Sequence, residues 1–331
     1  MLCLAIESTA HTFASAVISS KGEIISDVRS MYQSDTHGII PSEAAQHHEK
    51  LYHQIIKKAI EESKIEKFDL LAYSRGPGLS PCLKVGLKAA KEYSEELKIP
   101  LIGVNHCLAH LSSAHLFTEV KDPVYVFVSG ANTQIIALEG GKFRIFGETL
   151  DTGLGNALDK FGREINLGFP AGPKIEQLAK NGSYIELPYI VKGMDLSFSG
   201  IVTSAISKFK KGIKKEDLCF SIQETMFSML TEVTERALAH TGKKEAVIIG
   251  GVAANKRLAE MLSIMCKERN AKLFTVPLKY SGDNGANIGY QGLIEYINGR
   301  REKELDIFPY ERIDHVNVFW NPSDDISKLP H

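Results

Sequence analysis

The chain has 331 residues, 44% hydrophobic and 24% charged, which is typical of a globular protein with room for two domains. A formal net charge of −1 excludes the strongly basic composition of many nucleic-acid binders, so nucleic-acid binding would need a local patch. The five scattered cysteines indicate a reducing compartment. Without a targeting segment or an apolar run of membrane-spanning length, we expect a cytoplasmic protein with no membrane contact.

In the first half, strands and helices alternate. Two strands within residues 2–20 and a short third strand precede a helix that begins at Ser42, with Ser42 as its N-cap. The next predicted elements are a strand over residues 68–74, a helix from Ser80 to Leu97, a strand over 101–104 and a helix with three histidines.

The second half repeats this order. Three strands over residues 124–147 are followed by a glycine-rich region of short helices. The remaining predicted elements are helices over 220–241, 255–270 and 285–298, and strands over 246–249 and 272–276. Such alternation predicts an α/β protein with a mostly parallel or mixed sheet and helices on its faces.

One pattern occurs twice. LCLAIESTAHTFASAVISS at residues 2–20 and VYVFVSGANTQIIALE at residues 124–139 each contain a strand, a small polar turn ending Ala-x-Thr, and a second strand. One long spacing indicates a duplicated domain rather than a solenoid. Backbone N–H groups in turns of small residues can approach an anion, so we expect the two turns to hold a phosphorylated ligand between two domains. Two ordinary hairpins account for the pattern equally well.

The string NHCLAH places His106 and His110 one helical turn apart, which suits one metal ion. A structural role for the pair remains the alternative. Cys107 stands where zinc proteases have a glutamate. Asp283, in a glycine-flanked turn before a helix, is the candidate third ligand, and two histidines with one carboxylate are typical of non-haem iron, with zinc as the alternative. The competing role for Asp283 is a helix N-cap.

Three further segments suggest ligand binding. The turn over residues 250–255 follows a buried strand and precedes a helix, a place suited to a nucleotide. Asp159 and Glu176 are candidate hydrogen-bond acceptors for hydroxyl groups, and Gly172 allows close approach. Five lysines between residues 208 and 215 form the one strong basic cluster, which suits phosphates, although the sequence alone favours a solvated loop.

Nine motifs occur in order over almost the whole chain: ESTAHT, NHCLAH, VSGANTQ, GETLDTGLGNALDKFGRE, FPAGPKIEQLA, KGMDLSFSG, SIQET, GGVAANKRL and GDNGANI. Together they resemble the universal tRNA threonylcarbamoyltransferase family. The closer resemblance is to its archaeal and eukaryotic branch, the catalytic subunit of the KEOPS complex.

The resemblance implies an actin/hexokinase/Hsp70-like (ASKHA) duplicated two-domain fold. It also implies transfer of threonylcarbamoyl from threonylcarbamoyl-AMP to N6 of the adenosine beside the anticodon, in tRNAs that read A-starting codons, with release of AMP. We expect an N-terminal domain over residues 1–120 and a C-terminal domain over 121–299. The last helix is expected to cross back to the first domain, and residues 300–331 are expected to form an irregular tail.

The resemblance assigns one divalent metal ion per chain, iron in preference to zinc, to His106, His110 and Asp283. It assigns no further catalytic residue. Contacts to the substrate and to an ATP- or AMP-type nucleotide fall on Phe127, Val128, Ser129, Gly130, Ala131, Asp159, Gly172, Glu176 and Asn255. The expected partners are tRNA, a separate kinase-like ATPase subunit and small accessory KEOPS subunits.

Several positions depart from the family's pattern, among them Ser281 and Gly282 before Asp283, where the family usually has a cysteine or similar residue. Phe127 replaces a tyrosine that is an extra metal ligand in archaeal relatives, and Tyr125 is a candidate substitute on the same strand face. Ala131 and Ala171 replace glycines, and each adds a methyl group where backbone is expected to approach the ligand.

Two other classes of function remain open. One is a metalloprotease, against which the missing glutamate argues. The other is an ATP-binding or ATP-hydrolysing subunit of the same fold.

Overall fold

A computed structural model describes residues 1–33, 39–302 and 304–322 of the chain. The chain divides into two compact units, Met1–Phe117 with Asp283–His331 and Thr118–Gly282. Part of the predicted tail, residue 303 and residues 323–331, lies outside the described residues. Among the described residues, no helix has both the length and the apolar character needed to span a bilayer.

The first unit is built on a five-stranded sheet in the order β3-β2-β1-β4-β5, in which β1, β2 and β3 are antiparallel and β1, β4 and β5 are parallel. Its strands are β1 (Leu2–Glu7), β2 (Thr12–Ser19), β3 (Ile24–Met31), β4 (Leu70–Gly76) and β5 (Leu101–Asn105). Its helices are α1 (Pro41–Ser63), α2 (Ser80–Leu97), α3 (His106–Phe117) and α10 (Gly285–Ile297), with a 3₁₀ turn at Ile313–His315.

The second unit repeats this design with a sheet in the order β12-β11-β6-β7-β8. Its strands are β6 (Val124–Val128), β7 (Thr133–Glu139), β8 (Lys142–Glu148), β11 (Glu245–Ile249) and β12 (Lys272–Thr275), with a small hairpin of β9 (Val191–Lys192) and β10 (Asp195–Leu196). Its helices are α4 (Leu154–Glu164), α5 (Gly172–Ala179), α6 (Ser199–Lys210), α7 (Lys215–Thr241), α8 (Lys256–Glu268) and α9 (Leu278–Ser281), with a 3₁₀ turn at Gly251–Ala254. The predicted α/β repeat is confirmed, because each sheet has three antiparallel strands followed by two parallel ones.

The predicted N-cap of the first helix is wrong. Pro41 is the first helical residue and Ile40 is the N-cap, with no side-chain capping bond, so Ser42 lies inside the helix. A proline at the first helical position is favourable because its missing N–H would have no partner there. The long helix of the second unit begins at Lys215, five residues before the prediction.

Three glycines bring α10 directly onto the first sheet. A Cβ added to Gly285, Gly289 or Gly292 would lie 2.6–2.7 Å from atoms of β2 or β4. Their spacing places all three on one helix face. Larger residues would push α10 outward, and Asp283 immediately before it would move with it.

Candidate metal centre and substrate-binding turn

Both histidines of NHCLAH lie at the start of α3, which follows β5 without a loop. Asn105, the last residue of β5, is fully buried, and its side-chain oxygen accepts a hydrogen bond from the backbone N–H of Leu108 at 3.0 Å. The first turn of α3 is therefore capped from within the strand. The prediction that His106 and His110 share one face is confirmed, since their ring centroids are 4.6 Å apart.

The side chain of Asn105 is itself held by the C-terminal segment. Its amide donates to Glu311 Oε2 at 3.0 Å, and the same carboxylate binds Arg75 through contacts of 3.0 and 2.6 Å. The backbone N–H of Phe308 donates to the carbonyl of Arg75 at 2.7 Å. Residues 308–311, predicted as part of an irregular tail, thus support the strand end that carries the histidines.

Asp283 completes the cluster. Its Oδ1 is 3.5 Å from Nε2 of His106 and 3.3 Å from Nε2 of His110. The alternative of an N-cap role for Asp283 is wrong, because Asn284 is the N-cap of α10 and accepts from the N–H of Asn287 at 2.9 Å. The Asp283 carboxylate therefore does not cap α10.

These donors fit a metal ion. The three ligand atoms lie within 4.8 Å of one another, and the two histidines are buried. Donors bound to one ion at about 2 Å are roughly 3–4 Å apart, which matches the carboxylate–imidazole distances. Two imidazoles and one carboxylate are also a ligand set that suits iron or zinc.

Glu7, a fully buried carboxylate at the end of β1, is a site residue that was not predicted from the sequence. Its Oε2 lies 3.0 Å from Nδ1 of His106, on the opposite side of the ring from the nitrogen that faces Asp283. Metal-bound histidines commonly donate their second nitrogen to such a carboxylate. The available signal was a glutamate that ends an otherwise apolar strand, LCLAIE.

Burial and the neighbouring charges shift the pKa values of the groups in this cluster. Burial would lower the pKa of His106, but the carboxylates of Glu7 and Asp283 outweigh it and raise that pKa to about 9. Burial lowers the pKa of His110. Burial would raise the pKa of Asp283, yet the adjacent imidazoles hold it well below its usual range. A cation bound here would replace the proton on His106 Nε2.

In the second unit, β6 ends in the tight turn of VSGANT. The N–H of Ser129 donates to the carbonyl of Asn132 at 2.8 Å, and its hydroxyl accepts from the N–H of Asn132 at 3.0 Å. Gly130 and Ala131 are exposed, and within the described part of the chain their N–H groups have no acceptor. Two backbone donors are therefore presented to solvent beside the buried side chains of Phe127 and Val128.

Glycines of neighbouring segments pack against this turn. A Cβ at Gly153 would lie 2.3 Å from the carbonyl oxygen of Gly130, and one at Gly250 would lie 2.3 Å from the carbonyl oxygen of Val128. Gly250 also has φ of +94°, which disfavours other residues. The carboxyl ends of β6 and β11, which pair in parallel, are thus covered by glycine backbone, and open sheets bind ligands at such ends.

The other predicted contact residues lie at the start of a helix in the second unit or hydrogen-bond the backbone there. Asp159 accepts from the N–H of Ala171 at 2.7 Å, and Glu176 accepts from the N–H of Lys256 at 3.0 Å. Asn255 caps α8 through its side-chain oxygen, and its amide donates to Gln223 at 3.2 Å. Gly172 begins α5, where a Cβ would meet nothing within 4 Å. Their contacts with substrate stay predictions.

A family model described as TsaD, tRNA N6-adenosine threonylcarbamoyltransferase, matches residues 23–290. The chain belongs to this threonylcarbamoyltransferase family. It is 51% identical to the tRNA N6-adenosine threonylcarbamoyltransferase of Thermococcus sibiricus over 97% of this chain and 100% of the relative. It is 48% identical to a probable bifunctional tRNA threonylcarbamoyladenosine biosynthesis protein of Methanocaldococcus jannaschii, over 97% of this chain and 60% of that protein.

Solved structures of distant sequence share the fold of this threonylcarbamoyltransferase family member. HypF in its phosphate- and nucleotide-bound form aligns with a TM-score of 0.62 at 13% identity, covering 90% of this chain and 56% of HypF. A ROK family glucokinase from Streptomyces griseus aligns with a TM-score of 0.50 at 11% identity, covering 88% of this chain and 98% of the glucokinase. The predicted ASKHA fold is confirmed by these likenesses together with the duplicated sheet.

The structure locates the departures from the threonylcarbamoyltransferase pattern. Tyr125 is buried with its ring edge-on to Phe143, 5.7 Å between centroids, at the amino end of β6 and away from the turn. The Ala171 methyl is fully buried, and a Cβ on Gly162 would lie 2.2 Å from it. That methyl therefore fills the core, whereas Ala131 is exposed on the turn.

Proposed function

We propose that this chain transfers a threonylcarbamoyl group from threonylcarbamoyl-AMP to N6 of the adenosine next to the anticodon of tRNA. The tRNAs are those that read codons starting with A, and AMP is the leaving group. Full-length similarity to proteins named for this transfer carries the proposal. The buried histidine–carboxylate cluster of the first unit supports it.

We propose that one divalent ion, iron in preference to zinc, binds His106, His110 and Asp283. When bound, such an ion supplies Lewis-acid polarisation and a fixed point for the phosphate end of the adenylate. The protein's part is to hold the ligands. Asn105 fixes the start of α3, and the glycine face of α10 keeps Asp283 close to the sheet.

The turn of the second unit contributes hydrogen-bond donors. The tRNA amine attacks the carbamoyl carbon, the bond to the phosphate oxygen breaks, and the N6 proton is lost. The exposed N–H groups of Gly130 and Ala131 are the donors that we assign to the negative charge that develops. Such donors are effective because the surrounding glycine contacts fix them before the reaction begins.

We propose that residues 127–131, Asp159, Gly172, Glu176 and Asn255 line the nucleotide and substrate site. Asp159, Glu176 and Asn255 each bind the backbone at a helix start, which supports a role in arranging loops around the ligand. The open space at Gly172 suits close approach of a ligand to the backbone.

The two units are proposed to be the N-terminal and C-terminal domains of the predicted division. The proposed partners are tRNA, a separate kinase-like ATPase and small accessory KEOPS subunits, and the proposed location is the cytoplasm. The cluster of five lysines, which spans the end of α6 and the start of α7, is the candidate contact for tRNA phosphates. No carboxylate lies within 4 Å of these lysine amines among the described residues.

Product analysis tests the proposed function. The purified chain is incubated with threonylcarbamoyl-AMP, tRNA and the partner subunits, and the digested nucleosides are measured by mass spectrometry. We expect threonylcarbamoyladenosine and AMP in equal amounts. In a parallel reaction of the chain alone with ATP and tRNA, release of ADP without modified adenosine would favour an ATPase. Chelator-sensitive cleavage of an added peptide would favour a metalloprotease.

A further inference from the structure

Glu7 is fully buried and both of its carboxylate oxygens are engaged. Oε2 lies 3.0 Å from Nδ1 of His106. Oε1 accepts from the backbone N–H of Thr9 at 2.7 Å and from the Thr9 hydroxyl at 2.5 Å. The two Thr9 donors fix the rotation of the carboxylate, so that its second oxygen can only accept from the imidazole.

We propose that Glu7 is a positioning residue that keeps a proton on Nδ1 of His106 and so makes Nε2 the metal-binding nitrogen. A neutral imidazole carries one N–H, and the hydrogen bond made by one nitrogen decides what the other can bind. Nε2 is the nitrogen that faces Asp283, at 3.5 Å. This inference rests on the metal centre of the proposed function.

Thr9 supports the same tautomer. Its hydroxyl oxygen is 3.4 Å from Nδ1 of His106 and donates its only proton to Glu7. Towards the ring, the Thr9 hydroxyl can therefore only accept a hydrogen bond. Both groups on this side of the imidazole are acceptors, which favours a protonated Nδ1.

The change Glu7→Gln separates this role from packing because it keeps the size of the side chain. The backbone N–H of Thr9 can only donate, so the amide oxygen must stay on its side. The amide NH₂ then faces Nδ1 of His106 and donates to it. The ring proton moves to Nε2, and the nitrogen that faces Asp283 loses its lone pair for a metal ion.

Cobalt(II) titration of the purified chain measures this effect directly, with the ligand-field absorption of the bound ion as the signal. We expect Glu7→Gln to bind cobalt about 10–100-fold more weakly than the wild type. Glu295→Gln is the matched control, because Glu295 is also buried on this unit and binds Gln291 and Arg300, twelve residues along from Asp283. The control is expected to keep wild-type cobalt affinity.

Nitrogen NMR of the histidine rings provides a second test, and its wild-type measurement needs no variant. In the wild type, Nδ1 of His106 is expected to carry a proton, and in folded Glu7→Gln it is expected to be bare. A bare Nδ1 in the wild type, or wild-type cobalt affinity in folded Glu7→Gln, would overturn the proposal. If the wild type itself binds no cobalt, the metal centre fails rather than the role of Glu7.

Discussion

Gly153 precedes α4 with φ of −65° and ψ of 153°, values that alanine adopts without strain. The effect of Gly153→Ala is therefore steric. The new Cβ would lie 2.3 Å from the carbonyl oxygen of Gly130 and 2.5 Å from the carbonyl carbon and oxygen of Ala131. These are backbone atoms, so no side-chain rotation relieves the overlap.

The turn itself must move to accept the methyl group. Carbon atoms normally pack at about 3.5–4.0 Å, so the backbone has to shift by about 1 Å. Overpacking of this kind costs about 1–3 kcal/mol of unfolding free energy. For a unit of this size, each kcal/mol lowers the melting temperature by about 2–4 °C. A shift of about 1 Å in the Gly130 and Ala131 donors is expected to slow the transfer about 100-fold.

Thermal unfolding by calorimetry and nucleoside mass spectrometry measure the two effects. Gly172→Ala is the matched control for stability, because its methyl group meets nothing within 4 Å and alanine favours a helix. We expect Gly172→Ala to keep or raise the melting temperature. Wild-type melting and wild-type transfer in Gly153→Ala would refute the role given to the packed turn.

Three further predictions concern polar and charged side chains. Asp151 accepts hydrogen bonds from Ser197 and from the N–H groups of residues 152, 198 and 199, and these bonds hold its pKa below the usual range although burial would raise it. Asp151→Asn should therefore lower the free energy of unfolding by its full amount at pH 7. In urea titrations, the difference from the wild type should shrink below about pH 4. Asn105→Ala removes the cap of α3, so it should lower the free energy of unfolding in urea by about 0.5–2 kcal/mol and weaken cobalt binding. An unchanged unfolding free energy and an unchanged cobalt affinity would contradict the support of the metal centre by β5. Replacing the five lysines at 208, 210, 211, 214 and 215 by glutamine should flatten the salt dependence of tRNA binding in filter assays, and an unchanged slope would exclude this cluster as a phosphate contact.

The sequence predicted the repeated sheet and the shared face of the histidine pair because both depend on local patterns. Asp283 lies far along the chain from the histidines, and it was a candidate because of its glycine-flanked turn and the family resemblance. Strand–turn–strand alternation appears in the two segments that became β1–β2 and β6–β7. The four-residue spacing of His106 and His110 fixes their shared face as soon as the segment is helical.

The parts that sequence reasoning missed depend on contacts between distant segments. Glu7 meets His106 only when β1 and β5 are placed in one sheet, and Glu311 meets Asn105 only when the C-terminal segment folds back. The family pattern predicts that the methyl group of Ala171 lies near a ligand, yet in the structure it fills the space that Gly162 leaves open. Neither the direction of a side chain nor the partner of a buried carboxylate can be read from neighbouring residues.

We propose that an ion held by His106, His110 and Asp283 is required for threonylcarbamoyl transfer. The most direct test of this proposal is the amount of threonylcarbamoyladenosine formed by His106→Ala, measured with metal content on protein whose fold is verified by circular dichroism. We expect a folded protein that has lost both the ion and the product. Normal product from metal-free His106→Ala would contradict the proposal.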